Sequence, residues 1–432
     1  MKISANDAAA PTLDIETADL FAPTLYGTGD PHPIWTAMRR HSPVHRQVLP
    51  DGRAFWSVTK YHDVNEVLRD HTRFTSNRGT LLSILGSRDP AGGKMMAASD
   101  PPVHTAMRRP ITEVLSARAL RPLVPKVRQV VHRMLAPLAS GSWNLARSAA
   151  GFPMAFTGTL MGLPEADWPR LTRLTTMAVA PEDPDFRQGE GSGTLASAHH
   201  ELFSYFSREV RRRGSEPGDD LVGALIRMNV DGRLFRHDEI VYNCYSLLLG
   251  ANVTTPHAVA GTILALIEHP AEYRRLVADP RLVPSAIEEG LRWSSPANHF
   301  MRYVVRPTEI RGTELRRGDA VVAWLGSANR DEEIFADPFR FDISRSPNRH
   351  VAFGFGPHYC VGAPMARIAL RLLFEEIVDK VEDFRLDMPI EHLTSNFVAG
   401  IKDMHVTAQL RPGAKEELEE VATADRPIPV TQ

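Results

Sequence analysis

The chain holds two cysteines in 432 residues, Cys244 and Cys360, and only the second stands where a thiol can do chemistry. It lies in the run Phe353-Gly354-Phe355-Gly356-Pro357-His358-Tyr359-Cys360-Val361-Gly362, and behind it Met365, Ile368, Ala369 and Leu372 fall at helical spacing. Glycines there admit backbone conformations and close approaches that a Cβ forbids. A sulfur just ahead of a helix faces unpaired amides and the positive helix end, which favour the thiolate, the form that ligates metal. The plainer account of a lone cysteine is a small buried hydrophobe. For Cys244, inside a helical run with no such surroundings, that account suffices.

Three other groupings carry chemical possibilities. Asp100-Pro101-Pro102 reads as an N-cap followed by proline in the first turn, which sets His104 and Arg108 on one helix face, able to grip an anion or simply to face solvent. Glu289 and Arg292 stand one turn apart on the same side; at a surface such a pair contributes only a few tenths of a kcal/mol. In Gly250-Ala251-Asn252-Val253-Thr254-Thr255-Pro256 the proline lacks an N–H, so it frees the Asn252 carbonyl and kinks the helix. The result is either a groove that admits water or a packing irregularity beside two threonines. Gly189 to Gly193 has no preceding strand and no completed phosphate-loop pattern, so it reads as a plain loop. The 17 histidines, His199-His200 among them, show no His-Glu-x-x-His spacing and no independent metal site.

The elements that must position these groups are mostly helical. The clearest helix runs from about Asp238 to Glu268, closed by His269 and Pro270; at 1.5 Å per residue it measures about 46 Å, enough to cross a whole domain. Its apolar residues cover most faces, as suits a helix at the protein centre. Ala54 to Val58, Tyr303 to Val305 and Ala320 to Trp324 have strand character. No repeat or biased linker divides the chain, so the expectation is one domain over residues 19–412. Residues 1–18 and 413–432 are expected to be flexible tails and Pro181 to Gly193 a loose segment. Lys plus Arg number 50 against 52 Asp plus Glu, a formal net charge of −2, which gives no global field toward nucleic acid or an anionic membrane. The N-terminus has neither a signal-peptide core nor a membrane-spanning stretch, and two unpaired cysteines make no disulfide framework. The expected place is the cytoplasm.

The cysteine run resembles the cytochrome P450 family, whose loop has the form Phe-x-x-Gly-x-Arg/His-x-Cys-x-Gly, matched here by Phe353, Gly356, His358, Cys360 and Gly362. Further matches extend from about residue 30 to residue 411. The resemblance implies the P450 fold, mostly α with a small β region and a long central helix over haem b, with Cys360 as the iron ligand whose electron donation favours O–O cleavage. It assigns His104, Arg108, Arg302 and His358 to the haem propionates and Phe353 to the haem-side loop. Glu289, Arg292 and Arg340 become a structural triad beneath the haem. Thr254, with Thr255 beside it, takes the place of the threonine that supports dioxygen activation, while Val253 stands where the family pattern has an acid. Ile84, Leu85, Leu249, Ala251, Asn298 and Phe397 are the implied substrate contacts.

The function implied is a monooxygenase that inserts oxygen from O2 into a medium-sized, partly polar organic molecule of specialised metabolism, by hydroxylation or epoxidation. No flavin or nicotinamide domain is evident, so electrons are expected from a separate ferredoxin or flavodoxin with its reductase, docked near Arg109, Arg118, Arg349 and Arg367. Because of Val253, oxidative coupling, ring formation or peroxide-driven oxidation stands as an alternative. A non-catalytic haem-binding or recruitment protein is an alternative of another class, against which Thr254 argues.

Overall fold

The computed structural model describes residues 15–230 and 232–424. The helices that frame the site are α1 (Val103–Val114), α2 (Leu145–Leu160), α3 (Trp168–Val179), α4 (Gly191–Arg213), α5 (His237–Asn252), α6 (Thr255–Glu268), α7 (Val283–Ser294), α8 (Ala363–Lys380) and α9 (Ala414–Ala424). The main sheet uses β1 (Val44–Val48), β2 (Ala54–Val58), β3 (Phe74–Thr75), β4 (His299–Val304) and β5 (Ala320–Trp324), in the order β1-β2-β5-β4-β3. The expected strands at 54–58 and 320–324 are present with those limits, and the one expected from Tyr303 begins earlier, at His299. β5 is buried on both faces: Val321 and Ala323 enter one hydrophobic cluster while Ala320, Val322 and Trp324 enter another. That alternation is the two-residue period of a strand applied to two cores at once.

The central helix is two helices. α5 ends at Asn252 and α6 begins at Thr255, so the expected kink is a full interruption at Val253 and Thr254. Pro256 supplies no amide, and the Thr254 hydroxyl donates to the Gly250 carbonyl at 3.2 Å across the gap. By length and composition the run His237–Glu268 could cross a membrane, yet 56% of its apolar window is buried inside the protein. α6 packs on α2 and α7. At the α7 contact a side chain on Gly290 would collide with Thr262, so the two helices approach closely only because that position is glycine.

Two segments expected to be loose are ordered. Between Pro181 and Gly193 the Asp183 carboxylate is fully buried, accepting from the Thr394 amide at 2.8 Å and pairing with Lys402 at 3.2 Å; α4 already starts at Gly191. Composition hid this because one buried acid holds the turn from a distant partner. Residues 414–424, assigned by composition to a flexible tail, form α9, whose Leu418 is buried while Glu417 pairs with Lys380 at 2.6 Å. The domain therefore extends past 412. At the other end Ile15–Thr17 form a short 3-10 turn. The remainder of both expected tails lies outside the described residues.

The Glu289–Arg292 pair is fully buried. Arg292 Nε and Nη2 reach the two Glu289 oxygens at 2.8 Å each, and Nη1 donates to the carbonyls of Asn329 and Pro338 at 2.9 Å each. Glu289 also accepts from the Asp342 amide at 3.0 Å and from Asn348 Nδ2 at 3.1 Å. The third cation is not Arg340, which is exposed and contributes only its carbonyl; it is Arg345, whose Nε lies 3.2 Å from Glu289 Oε1. Four residues of chain separate the two arginines, and the turn geometry brings the later one inward. Arg345→Ala is therefore expected to lower stability by about 1–3 kcal/mol, the cost of leaving a buried charged group one donor short. Arg340→Ala should cost under about 0.5 kcal/mol. Denaturant midpoints of the two variants distinguish these assignments.

Candidate active site

The network around Glu289 anchors the chain that leads to Cys360. Asn329, whose carbonyl Arg292 holds, accepts the Val351 amide on its side-chain oxygen at 2.7 Å. From there the loop closes on itself: the Gly354 amide reaches the Val351 carbonyl at 2.8 Å and the Cys360 amide the Phe353 carbonyl at 2.8 Å. Gly356 takes φ 72°, in the left-handed region, and packs flat on the end of another helix, where a Cβ would come within 2.8 Å of Arg69 Cα. Two arginines brace the loop from outside. Arg108 Nη2 donates to the Tyr359 carbonyl at 2.6 Å. Arg367 lies over the Phe353 ring at 4.6 Å and is held by Glu288 through a pair of bonds at 2.7 and 2.8 Å. Against the opposing effect of burial, Arg367 and His350 hold the Glu288 carboxyl down at about 2. Of the four arginines expected to form a docking patch, Arg109, Arg118 and Arg349 are exposed, whereas Arg367 is committed to Glu288.

Cys360 lines a cavity of about 660 Å³, and the amides of Gly362 and Ala363 are directed at its sulfur. Burial pushes the thiol up, while these amides, Arg108 and Arg367 oppose that push. A cation in contact with the sulfur would decide the balance for thiolate. Cys244 is fully buried in the main core, with its ionisation pushed further up by burial, in keeping with a packing role.

Across the cavity stand Leu249, Ala251, Val253, Thr254 and Thr255 from the two halves of the central helix, with Ile84 and Phe397 on the flanks. Val253 is buried and faces the cavity with hydrocarbon alone. Asn252 is buried as well; its Nδ2 donates to the Leu248 carbonyl at 2.8 Å and its Oδ1 has no partner. Two expected contacts fail. Leu85 belongs to a different core cluster behind the 3-10 turn that presents Ile84. Asn298 is turned into the fold, its Nδ2 on the Asn396 carbonyl at 3.2 Å, and Ala297 lines the cavity in its place. Each error is a single residue, enough to reverse which side of the chain is presented.

One edge of the cavity gathers cationic and hydrogen-bonding side chains. His104, Arg108, Arg302 and His358 all line it, with the two imidazole rings 4.2 Å apart. Asp100 does not cap α1 with its side chain; it accepts from the Ser76 amide at 2.9 Å and from the Thr75 hydroxyl, leaving the helix start to Pro102. Burial, reinforced by neighbouring arginines, lowers His104 to about 4 and His358 to about 2, so both rings are neutral donors near neutral pH. The charge comes from the guanidinium groups. Arg302, brought to this edge by strand β4, is buried, and the acceptor it reaches is the Met301 carbonyl at 2.9 Å; burial lowers it to about 10. Neither ring nitrogen of buried His104 has a partner. Unsatisfied buried donors and an underpaired cation are costly unless a ligand completes them. A flat apolar body, two carboxylates at this edge and a metal at Cys360 would do so, and haem b has those parts.

The family model described as Cytochrome P450 matches residues 192–397. The chain is 31% identical over 403 residues to linalool 8-monooxygenase of Pseudomonas putida, an alignment covering 91% of this chain and 99% of that one. To cyclomarin C epoxidase CymV of Salinispora arenicola it is 32% identical, covering 85% and 93%. Among solved structures it superposes on Mycobacterium marinum cytochrome P450 CYP268A2 in complex with pseudoionone with a TM-score of 0.83 at 28% identity, covering 93% of this chain and all of that one.

Proposed function

The chain belongs to the cytochrome P450 family and is a monooxygenase, and from that premise we propose that it oxidises a medium-sized, mainly apolar specialised metabolite in the bacterial cytoplasm. Electrons would come from a separate ferredoxin or flavodoxin with its reductase. The observation that carries this reading is the single cavity that joins Cys360 to Thr254 and to the four donors at its edge. Enzymes of this family bind haem iron through a thiolate, and bound haem supplies dioxygen activation. Cys360 is the proposed ligand; Arg108, Arg302, His104 and His358 are proposed to hold the two carboxylates, the arginines by charge and the neutral histidines as hydrogen-bond donors. The apolar lining excludes bulk water from the reacting face, and at the helix break Thr254 lines the cavity with a hydroxyl, as does Thr255 beside it.

Proton supply is where this chain departs from its family, because Val253 offers none. Thr254 must then pass protons from a water lodged at the helix break or from a hydroxyl on the substrate itself. Thr254→Ala is expected to leave haem content unchanged and to divert electrons into hydrogen peroxide, with at least a several-fold fall in product per electron donor consumed, since a positioned proton donor is typically worth about 10²–10⁴ in rate. Product and peroxide are measured together, with reductase and ferredoxin supplying electrons to a substrate found by screening metabolites for displacement of the haem water ligand. An unchanged ratio of product to peroxide would remove Thr254 from proton delivery. The apolar Val253 favours one second reading, oxidative coupling or peroxide-driven oxidation. Faster product formation with hydrogen peroxide alone than with dioxygen and donors would establish it.

A further inference from the structure

Resting on the reading of the cavity as a substrate pocket, we propose that its end remote from Cys360 recognises a protonated amine on the substrate, with Asp89 as the counter-charge. Asp89 lines the cavity and is half-buried, and the bond its carboxylate makes is to the amide of Ala91 in its own turn, at 2.9 Å. Among the described residues no cation pairs with it. Arg88 beside it is exposed and makes no ion pair with it. Lys94, the next cation along the loop, is taken by Asp238 at 3.0 Å.

The same cavity carries an aromatic wall. Phe203 lies 4.9 Å from Tyr245 and 5.4 Å from Tyr242 between ring centroids, both edge-on, and His199 stacks on Phe203 at 5.4 Å. The Tyr245 hydroxyl is fixed by His199 Nε2 at 2.9 Å. All four rings line the same cavity as Asp89, and the Asp89 charge reaches Tyr245, adding to the effect of burial in holding its hydroxyl protonated. A carboxylate turned toward apolar surroundings without a counter-ion is costly, and aromatic faces attract cations once water is displaced. One ligand feature meets both conditions: an alkylammonium group. Tyr245 stands seven residues before Asn252, the last residue of α5, about 10 Å at 1.5 Å per residue, and Thr254 lies beyond the break. The amine and the carbon to be oxidised therefore belong at opposite ends of the substrate.

The test uses haem-loaded full-length enzyme and two esters of 4-(1-adamantyl)benzoic acid with the same shape: the 2-(dimethylamino)ethyl ester, protonated at neutral pH, and the 3-methylbutyl ester. Binding is read from the haem absorption change. Wild type should bind the amine about 10- to 100-fold more tightly, the range of a charge-assisted bond. Asp89→Asn should reduce that preference to within about threefold while leaving the dissociation constant of the neutral ester unchanged. A neutral-ester signal without amine preference in wild type, or a preference that survives Asp89→Asn, overturns the proposal alone. A flat titration with both esters counts against the pocket reading itself and takes the proposal with it.

Discussion

Cys360→Ala is expected to abolish the red-shifted absorption of the reduced carbon monoxide complex and to drop product formation to background. The sulfur lines the cavity with the amides of Gly362 and Ala363 directed at it, and the only other sulfhydryl, Cys244, is sealed in the main core. No second thiol can substitute. The loop itself should survive, since the Cys360 amide bond to Phe353, the packing of Gly356 on Arg69 and the brace from Arg108 are made by backbone or by other side chains. The variant should therefore keep a wild-type unfolding profile in the haem-free state and still take up some haem through the carboxylate-binding edge. A thiolate-type spectrum in this variant would refute the ligand assignment.

Glu289→Ala has the largest expected effect on stability, a loss of about 3–5 kcal/mol, because removing one member of a buried pair strands the other. Here the damage spreads beyond Arg292. The Asp342 amide, Arg345 Nε and Asn348 Nδ2 all lose their acceptor in the same event. A whole domain is stable by only about 5–15 kcal/mol, so the variant should show a much reduced denaturant midpoint and poor haem retention. Replacing both partners with apolar residues, Glu289→Leu with Arg292→Met, should recover part of the loss and not all of it, since Arg292 also satisfies the carbonyls of Asn329, Pro338 and Arg340. A midpoint for Glu289→Ala within about 1 kcal/mol of wild type would mean that the buried network is dispensable.

The cysteine loop was legible in the sequence because its constraints are local: a sulfur ahead of a helix, with glycines where the backbone must turn or be approached. The same holds for Glu289 and Arg292, whose pairing is set by helix periodicity. What escaped was set by distance. Arg345 displaces Arg340 because of a turn in irregular chain, where no period predicts which side a residue presents. Ile84 against Leu85 and Ala297 against Asn298 are the same failure at one-residue scale. α9 has a single buried leucine in a run of acidic and basic residues, so its order depends on Lys380 and on the surface it covers, neither of which neighbours it in the chain. The aromatic wall draws on α4 and α5 and Asp89 on the loop before α1, and the separate members look like ordinary packing residues in each.

The brace from Arg108 to Tyr359 spans 251 residues, which matters for a chain made from one end to the other. The edge proposed to hold carboxylates is partly in place once His104 and Arg108 have left the ribosome, whereas Cys360 follows only after a further 252 residues, about 13–50 s at ordinary rates of synthesis. The central helix, complete at Glu268, is made before the floor of the cavity. The apolar surface of α5 and α6 then waits uncovered until the cysteine loop follows, as partly made chains of this size commonly do, and is exposed to capture by other nascent chains. Haem can be locked in place only near the end of translation, so the yield of loaded enzyme in a recombinant host should respond to slower synthesis and to haem supply late in expression more than to promoter strength.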